Sequence, residues 1–440
     1  MSTEASSPPL TSAAEGAPAN GDPLGNTTSL CTNPPQKTIP IVFVPGVMGS
    51  RLHFTAIDES WDPDSNWAMV HWLRIGTERA RTEFRNSTPV EIMGKQSGLT
   101  DDEVTRGYGG LSMEFYVGFA RFLHGLDRQL NQNVHTPVYG VGYDWRQSNK
   151  DSGAYVTREV ERIMGIEGAG QVILVSHSMG GMVTRSAMKS GLAGKVLGVI
   201  HIFQPVDGAV VLYRRFFTGA VKAIDGGFGL ATILGNTGDK FAATSSGMPG
   251  PIQLLPTNNY KDTAGPWLTY KAGGAQASWP GDVFDLYAGA VCPPALMNFA
   301  RPTGFSAAGA SDLKANIQLA KSFHAELGHY QHPRTKTIHS SRLLTDMAII
   351  FDPPTQPAPV MTTIYTEEGP MQMMVTPDWS SKGAQRQARA EGDGTVPRTS
   401  GNPLAPNVEI RGGVEHSAAC GESAGEVRDD VKKWIIEFLA

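Results

Sequence analysis

The apolar residues of this chain gather in short runs that stop at turn-forming residues. Residues 41–44, Ile-Val-Phe-Val, form one such run and are followed at once by Pro45 and Gly46. Runs of the same kind stand at 172–175 and 199–203. Such runs, rich in β-branched side chains and bounded by turn residues, predict buried β-strands.

A helix is predicted between the second and the third of these strands. Residues 179–190 are helical in composition despite two early glycines, and Gly191 follows as a C-terminal stop. Strand, sharp turn, helix and strand make a βαβ unit, which implies a mainly parallel sheet with helices on both faces. The predicted fold class is therefore α/β.

The last residues of the chain predict another helix with one apolar face. Its apolar positions follow a spacing of three and four residues, which places them on the same side of a helix. They are Val427, Val431, Trp434, Ile435 and Phe438.

Changes in the pattern divide the chain into four parts. Residues 1–37 are dominated by small and polar residues without hydrophobic period, which predicts a disordered tail. Residues 38–207 form the first part of the core. Residues 208–340 are heavy in Gly, Pro and Ser and lack a comparable strand series, so we interpret them as an inserted cap. Strand-like runs return within 341–440, which is interpreted as the second part of the core.

The composition indicates a globular protein and gives no sign of a nucleic-acid partner. The 440 residues are 40% hydrophobic and 18% charged, as expected of a globular chain, while 50 glycines and 30 prolines predict many loops. A net charge of −5 gives no nucleic-acid footprint. Cys31, Cys292 and Cys420 are scattered and odd in number, so they predict neither a disulfide framework nor a zinc site.

The N-terminal residues carry no signal-peptide pattern. A basic segment and an apolar segment are both missing there, and no apolar run approaches the roughly 20 residues of a membrane span. We therefore expect synthesis in the cytoplasm without a cleavable signal, with export by a signal-independent route left open. The sequence does not indicate the oligomeric state.

Two serines compete for the role of a nucleophile. Residues 421–425, Gly-Glu-Ser-Ala-Gly, are a complete G-x-S-x-G motif, the pattern of serine esterases, with Ser423 at its centre. Residues 176–180, Ser-His-Ser-Met-Gly, depart from it at the first position. The nucleophile of such enzymes stands on a sharp turn between a strand and a helix. Ser178 meets this condition, whereas no apolar strand precedes Ser423.

Ser423 has another interpretation. With Glu426 it forms an S-x-x-E pattern at the start of the C-terminal helix, which predicts a capping box. For Ser178 the alternative is an ordinary turn between a strand and a helix, which small residues also favour.

An acid and a base follow Ser178 in the order that serine esterases with sheets of this type use, Ser, then Asp or Glu, then His. His416 is the only histidine downstream of Asp393, and both residues are expected in loops after strands. Glu391, Asp378 and Glu409 remain alternatives for the acid.

The oxyanion of a tetrahedral intermediate needs two N–H donors. One is expected from Met179, directly after the nucleophile, and one from the loop after the first strand. Val47 is the first choice in that loop, with Met48 next.

Five stretches resemble one family. They are IVFVPGVMGSRL, VYGVGYDWRQS, VILVSHSMGG, GDGTVP and GVEH, in the order found in α/β-hydrolases related to lecithin:cholesterol acyltransferase and lysosomal phospholipase. The resemblance spans most of residues 39–420. It implies an α/β-hydrolase fold with an inserted cap.

The resemblance also implies site residues and a substrate class. It places the nucleophile at Ser178, the acid at Asp393 and the base at His416, with oxyanion donors at Val47 and Met179. It further implies an acyl ester as substrate, often a phospholipid. The chain departs from the family at 204–208, where Gln-Pro-Val-Asp-Gly replaces a glycine-rich loop opening with Pro-Trp, and in its cysteines.

Two stretches could contact a lipid surface. Trp61, Trp67 and Trp72 stand close together, and residues 209–224 combine apolar residues with Arg214, Arg215 and Lys222. The alternative is that both stretches pack in the core with an exposed rim.

Other expectations concern cofactors and the cluster at 143–146. His324, His329 and His332 do not fit one helical face, so a solvated helix is favoured over a metal site. No cofactor is expected. Tyr143-Asp144-Trp145-Arg146 is expected to be structural rather than catalytic.

The sequence therefore favours a serine esterase or lipase that works through an acyl-enzyme. An acyltransferase would use the same residues with an alcohol in place of water as the acyl acceptor. A catalytically silent hydrolase fold that serves as a binding module is the third hypothesis.

Overall fold

The computed structural model describes most of the chain downstream of residue 36. The described residues are 37–65, 68, 90–92, 97–127, 133–220, 235, 238–265, 267–272, 275–278, 281–287, 307–351, 360–366, 369–375, 389–401 and 408–440. The predicted tail at 1–37, Trp67 and Trp72, Cys31 and Cys292, Asp378, and residues 221–224 lie outside the described residues, save Lys37.

The strands are numbered in chain order through the described residues. They are β1 (Lys37–Thr38), β2 (Ile41–Val44), β3 (Leu52–Phe54), β4 (Glu59–Trp61), β5 (Val90–Ile92), β6 (Val134–His135), β7 (Val138–Gly140), β8 (Val172–His177), β9 (Val196–Ile202), β10 (Leu268–Ala272), β11 (Ala275–Ser278), β12 (Thr335–Ser341), β13 (Leu343–Asp346), β14 (Ile349–Phe351), β15 (Val360–Thr366), β16 (Gly369–Val375), β17 (Arg389–Gly392) and β18 (Val408–Gly412).

The α-helices are numbered in the same way. They are α1 (Asp101–Thr105), α2 (Glu114–Leu126), α3 (Asn149–Glu167), α4 (Met179–Lys189), α5 (Val210–Thr218), α6 (Gly238–Ser245), α7 (Pro249–Ile252), α8 (Tyr260–Ala264), α9 (Val283–Tyr287), α10 (Ala307–Leu327), α11 (Arg398–Gly401) and α12 (Gly425–Leu439). Short 3₁₀ turns stand at Tyr108–Gly110 and Leu192–Lys195.

The central sheet has six strands in the order β18-β12-β9-β8-β2-β7. Every pair of neighbours in it is parallel. The chain enters at β2, moves outward to β7 and then returns to the other side of β2 with β8. The strand order therefore reverses between β2 and β8, and open α/β sheets bind ligands at the carboxyl ends of strands at such a point.

Both faces of this sheet are covered, as the sequence predicts. Ile41 and Phe43 of β2 pack in a cluster with α2 and α12. Val42 and Val44 of the same strand face the opposite way and pack with α3 and α4. Side chains alternate along a strand, so a strand buried on both faces is apolar throughout, which is why β2 could be found from its composition.

The C-terminal helix agrees with its predicted apolar face but not with its predicted cap. All five predicted positions of α12 are buried. The capping box at Ser423 is wrong, because the helix begins at Gly425 and its N-cap is Ala424, without a side-chain hydrogen bond. Ala424 and Val427 are buried in the core, and the N-cap lies one residue beyond the serine.

A second sheet accounts for two differences from the predicted division of the chain. Its strand order is β11-β10-β14-β15-β17-β13, and β16 pairs with β15. The strands β13 to β17 fall in the range predicted as core, yet they join β10 and β11 of the predicted cap. The strand β12 begins at Thr335, inside the range predicted as cap, yet it pairs with β9 and β18 in the central sheet.

The expected lipid contact through Trp61 is wrong. The Trp61 side chain is fully buried and lies edge-on to Trp145, with 5.6 Å between ring centroids. Next to Trp145, the buried Arg146 guanidinium pairs with Asp144 at 2.9 Å and lies 4.7 Å from the Phe54 ring centroid. These contacts agree with the structural role expected for residues 143–146.

The expected lipid contact through residues 209–224 is also wrong for the described part of that stretch. Val210, Leu212 and Phe216 of α5 are buried in an apolar cluster with α6 and α10. Arg214 is buried too and pairs with Asp346 at 2.8 Å. Apolar and basic residues in alternation suit a membrane face and a core helix with one buried ion pair equally well, and here the helix is a core helix. No helix in the described residues is long and apolar enough to cross a membrane.

Asp207, in the loop after β9, forms hydrogen bonds with three later segments of the chain. Its buried carboxylate accepts hydrogen bonds from Thr263 at 3.1 Å and His329 at 3.0 Å, and Thr257 lies at 3.4 Å. Its backbone N–H donates to the carbonyl of Ser400 at 3.2 Å. One carboxylate thereby ties the loop after β9 to the segment around α8 and the loop after α10.

We predict that Asp207→Ala lowers the free energy of unfolding by about 1–3 kcal/mol, because Thr257, Thr263 and His329 lose the buried acceptor that joins their segments. Urea denaturation followed by tryptophan fluorescence measures this change. Asp262→Ala, at an exposed position of α8, is the control and should leave stability nearly unchanged. Equal stability of the two variants would contradict the role assigned to Asp207.

Candidate active site

Ser178 stands on the turn between β8 and α4, where the sequence predicts it. Its backbone has φ 53° and ψ −128°, a conformation that residues other than glycine rarely adopt. Its N–H donates to the carbonyl of Ile202 at 2.9 Å, and its own carbonyl accepts from Gly181 at 2.9 Å. These two bonds hold the strained turn, a pattern typical of a nucleophile elbow.

Two glycines allow this turn to approach the loop after β2. A Cβ atom on Gly180 would lie 2.5 Å from the carbonyl oxygens of Val44 and Pro45. A Cβ atom on Gly46 would lie 2.8 Å from the Cβ of Ser178. Neither position has room for a larger residue, and the loop after β2 is therefore in contact with the serine.

The departure from the motif at Ser176 has a structural explanation. The Ser176 hydroxyl lies 2.7 Å from Nδ1 of His201 on the adjacent strand β9, and both residues are buried. Burial lowers the pKa of His201 to about 3, so its ring is neutral and the two groups form one hydrogen bond. A glycine at this position would leave His201 without that partner.

The structure brings Ser178, His416 and Asp393 together. Nε2 of His416 lies 2.7 Å from the Ser178 hydroxyl, and Nδ1 lies 2.7 Å from Oδ2 of Asp393. The serine and the aspartate are buried, while the histidine side chain is 15% exposed. In this geometry Nδ1–H donates to the carboxylate, and Nε2 accepts the serine proton.

Asp393 is held in place by its own loop. Its second carboxylate oxygen, Oδ1, accepts hydrogen bonds from the N–H groups of Thr395 at 2.8 Å and Val396 at 2.6 Å. Its carbonyl accepts the N–H of His416 at 2.8 Å. Gly394 has φ 89°, which a glycine adopts without strain, and this allows the sharp turn after β17.

The alternative acids make other contacts. Glu391 is exposed and pairs with Arg398 at 2.8 Å. Glu409 lies on β18 and pairs with Lys433 at 3.5 Å. Among the described acids, Asp393 is the one that His416 contacts.

The loop after β2 is fixed around the expected oxyanion donor. The Gly46 N–H donates to the Tyr116 hydroxyl at 3.2 Å, and the Tyr143 hydroxyl donates to the Pro45 carbonyl at 3.0 Å. Met48, the second choice as donor, has φ 60° and accepts a bond from the Ser112 hydroxyl through its carbonyl.

Two N–H groups remain available beside Ser178. Within the described residues, the N–H groups of Val47 and Met179 have no protein acceptor. Met179 is the first residue of α4, and the first N–H groups of a helix lack an intrahelical acceptor. These are the two residues from which the sequence predicts the oxyanion donors.

Sequence reasoning missed His177 and Tyr116. The G-x-S-x-G motif allows any residue at position 177, yet the His177 ring is buried, with the Tyr116 hydroxyl 2.7 Å from Nδ1 and the His416 carbonyl 3.0 Å from Nε2. Burial lowers the pKa of His177 well below its ordinary value, and nearby His416 acts in the same direction. The periodicity of α2 indicates that Tyr116 is buried, but not where its hydroxyl points.

The three histidines near α10 have separate partners. His324 bonds the Gln253 carbonyl at 2.7 Å, His329 bonds Asp207, and His332 accepts the N–H of Arg334 at 3.2 Å. The described part of the chain contains no group of three or more His, Cys, Asp or Glu residues that could hold a metal ion. Cys420 is a buried free cysteine.

Comparison with known proteins adds a family and a fold. A family model described as lecithin:cholesterol acyltransferase (LCAT) matches residues 129–278. A search of curated proteins finds no match. Among solved structures, the chain is similar to a chain of the Tle4–Tli4 complex, at 19% sequence identity and a TM-score of 0.67. That alignment covers 91% of this chain and 98% of the other.

A more distant similarity links the chain to a bacterial lipase. Bacillus licheniformis lipase BlEst2 in its mature form is 13% identical at a TM-score of 0.33, covering 91% of this chain and 93% of that one. The family match and the Tle4 similarity confirm the predicted resemblance and the α/β-hydrolase fold. Residues 129–278 therefore match the LCAT family, and the chain has an α/β-hydrolase fold.

We predict that Ser176→Gly, which restores the full motif, destabilises the protein. The buried His201 loses a hydrogen-bond partner, which costs about 1–3 kcal/mol, and glycine in a strand adds roughly 0.5–1 kcal/mol. Ser176→Ala removes only the hydroxyl group and should show the first loss alone. Chemical denaturation measures both variants, and a Ser176→Gly protein as stable as the wild type would contradict the assigned role of Ser176.

Proposed function

We propose that this LCAT-like α/β-hydrolase is a serine lipase or phospholipase that cleaves acyl esters through an acyl-enzyme on Ser178. One observation carries the proposal, the chain of contacts from Ser178 through His416 to Asp393, with both distances at 2.7 Å. A serine, a histidine and a carboxylate at these distances can activate the serine without any cofactor.

The acylation step uses each of these groups. The Ser178 hydroxyl attacks the acyl carbon while Nε2 of His416 takes its proton, and the ester carbonyl becomes an oxyanion. The N–H groups of Val47 and Met179 stabilise that oxyanion. The intermediate then expels the alcohol, which receives its proton from His416, and the acyl group remains on Ser178.

Deacylation repeats these roles with water. His416 removes a proton from a water molecule, whose oxygen attacks the acyl-enzyme. The second tetrahedral intermediate breaks its bond to the Ser178 oxygen and releases the fatty acid, while His416 returns the proton to Ser178. Throughout both steps the Asp393 carboxylate fixes the tautomer of His416 and stabilises its charged form.

The phospholipid substrate is the finer part of the proposal. The family model that matches residues 129–278 is named for an enzyme of lecithin, a phospholipid. The same name supports a second candidate, an acyltransferase, in which an alcohol replaces water in the second step. A binding module without catalysis is disfavoured, because Ser178, His416 and Asp393 are all present and in contact.

We predict that the protein releases fatty acid and lysolipid from mixed phospholipid and glyceride vesicles, and that Ser178→Ala lowers the rate by about 10⁴-fold or more. Mass spectrometry identifies the products and shows which acyl position is cleaved. Ser423→Ala, in the other G-x-S-x-G sequence, is the matched control and should retain full activity.

Addition of an alcohol to the same vesicles distinguishes the lipase from the acyltransferase. Accumulation of the acylated alcohol at the expense of fatty acid would favour the acyltransferase. No product from the wild-type protein, or equal activity of Ser178→Ala, would contradict the proposed function.

A further inference from the structure

We propose that His177 and Tyr116 are positioning residues, which together tether the loop of the base His416 to the nucleophile turn and to the oxyanion loop. The inference rests on the proposed function, because it assigns how that same site is held together. It concerns two buried polar side chains that take no part in the chemistry described above.

The tether is a continuous chain of hydrogen bonds through the core. It starts at the Gly46 N–H, which donates to the Tyr116 hydroxyl at 3.2 Å. The hydroxyl lies 2.7 Å from Nδ1 of His177, and Nε2 of His177 lies 3.0 Å from the carbonyl oxygen of His416. Three segments distant in sequence, the loop after β2, the end of β8 and the loop after β18, are therefore linked through two side chains.

Burial disfavours a charged His177 ring, and with a neutral ring only one protonation pattern satisfies every bond in this chain. The His416 carbonyl can only accept, so Nε2 of His177 must carry a proton. The Gly46 N–H can only donate, so the Tyr116 oxygen accepts there and gives its own proton to Nδ1 of His177. His177 is then a neutral imidazole, in agreement with its full burial.

The base loop is exposed on both sides of His416. Glu415 and Ser417, which flank His416, are exposed, and Gly412 and Gly413 precede it. The other bonds of His416 go to Asp393 and Ser178. The carbonyl bond to His177 therefore ties the backbone of the base directly to the residue before the nucleophile, with the two rings 5.0 Å apart.

Three variants separate hydrogen bonding from packing. His177→Phe keeps an aromatic ring of similar shape but loses both ring nitrogens. His177→Gln loses the ring but keeps an N–H donor for the His416 carbonyl. Tyr116→Phe removes only the hydroxyl group. Tyr139→Phe is the control, because its hydroxyl bonds Glu167 rather than the site.

The rate at which a fluorophosphonate probe labels the nucleophile measures the effect without a known lipid substrate. We expect His177→Phe and Tyr116→Phe to be labelled about 10- to 100-fold more slowly than wild type, the cost of a small misplacement of a reacting group. His177→Gln should recover a large part of the loss. With p-nitrophenyl butyrate, kcat should fall in the same order while KM changes little, and thermal unfolding confirms that each variant folds.

The outcomes distinguish this inference from the proposed function. A wild-type protein that the probe does not label at Ser178 contradicts the proposed function itself. If the probe labels the wild type, and labels His177→Phe and Tyr116→Phe at the wild-type rate, only the positioning role is contradicted. The same holds if His177→Gln is as slow as His177→Phe while Tyr116→Phe matches wild type, because packing would then explain the loss. If His177→Phe fails to fold, Tyr116→Phe still decides the question.

Discussion

The close approach of two backbones at the carboxyl ends of β2 and β8 is the constraint on which the site depends. The loop after β2 reaches the Ser178 turn only because Gly46 and Gly180 carry no side chain, and an added Cβ would lie 2.8 Å or less from its neighbours. Val47 and Met179 directly follow the two residues, Gly46 and Ser178, that approach each other here. The strand order reverses between these two strands, and open α/β sheets bind ligands at such a point.

The strained backbone conformation of Ser178 is stabilised by the structure around the turn. A non-glycine residue in such a backbone conformation costs about 1–3 kcal/mol. Every residue of β8 is buried, and hydrogen bonds fix the turn on both sides. The Ser178 side chain makes no capping bond to α4, so its hydroxyl is directed to His416 instead. The sheet core thus holds a conformation that the turn alone would not keep.

The sequence was sufficient where local pattern decides the structure. An apolar run between turn residues identifies β2 and β8, and the order of Ser178, Asp393 and His416 selects residues that the fold brings into contact. Contacts between residues that are distant in the chain could not be predicted from the sequence. The packing of Trp61 on Trp145 depends on tertiary contacts, as does the pairing of β17 with β13. The same composition fits a lipid-facing surface or a core, and only packing separates the two.

His177 illustrates the same limit within the motif itself. A histidine beside the nucleophile could compete with His416 for a proton, and a second cation 5.0 Å from a charged His416 would oppose its protonation. Complete burial removes this conflict, because it lowers the pKa of His177 and keeps the ring neutral. A neutral ring has one donor and one acceptor, and here the donor meets the His416 carbonyl and the acceptor meets the Tyr116 hydroxyl. The burial that makes His177 inert as a base therefore makes it suitable as a tether.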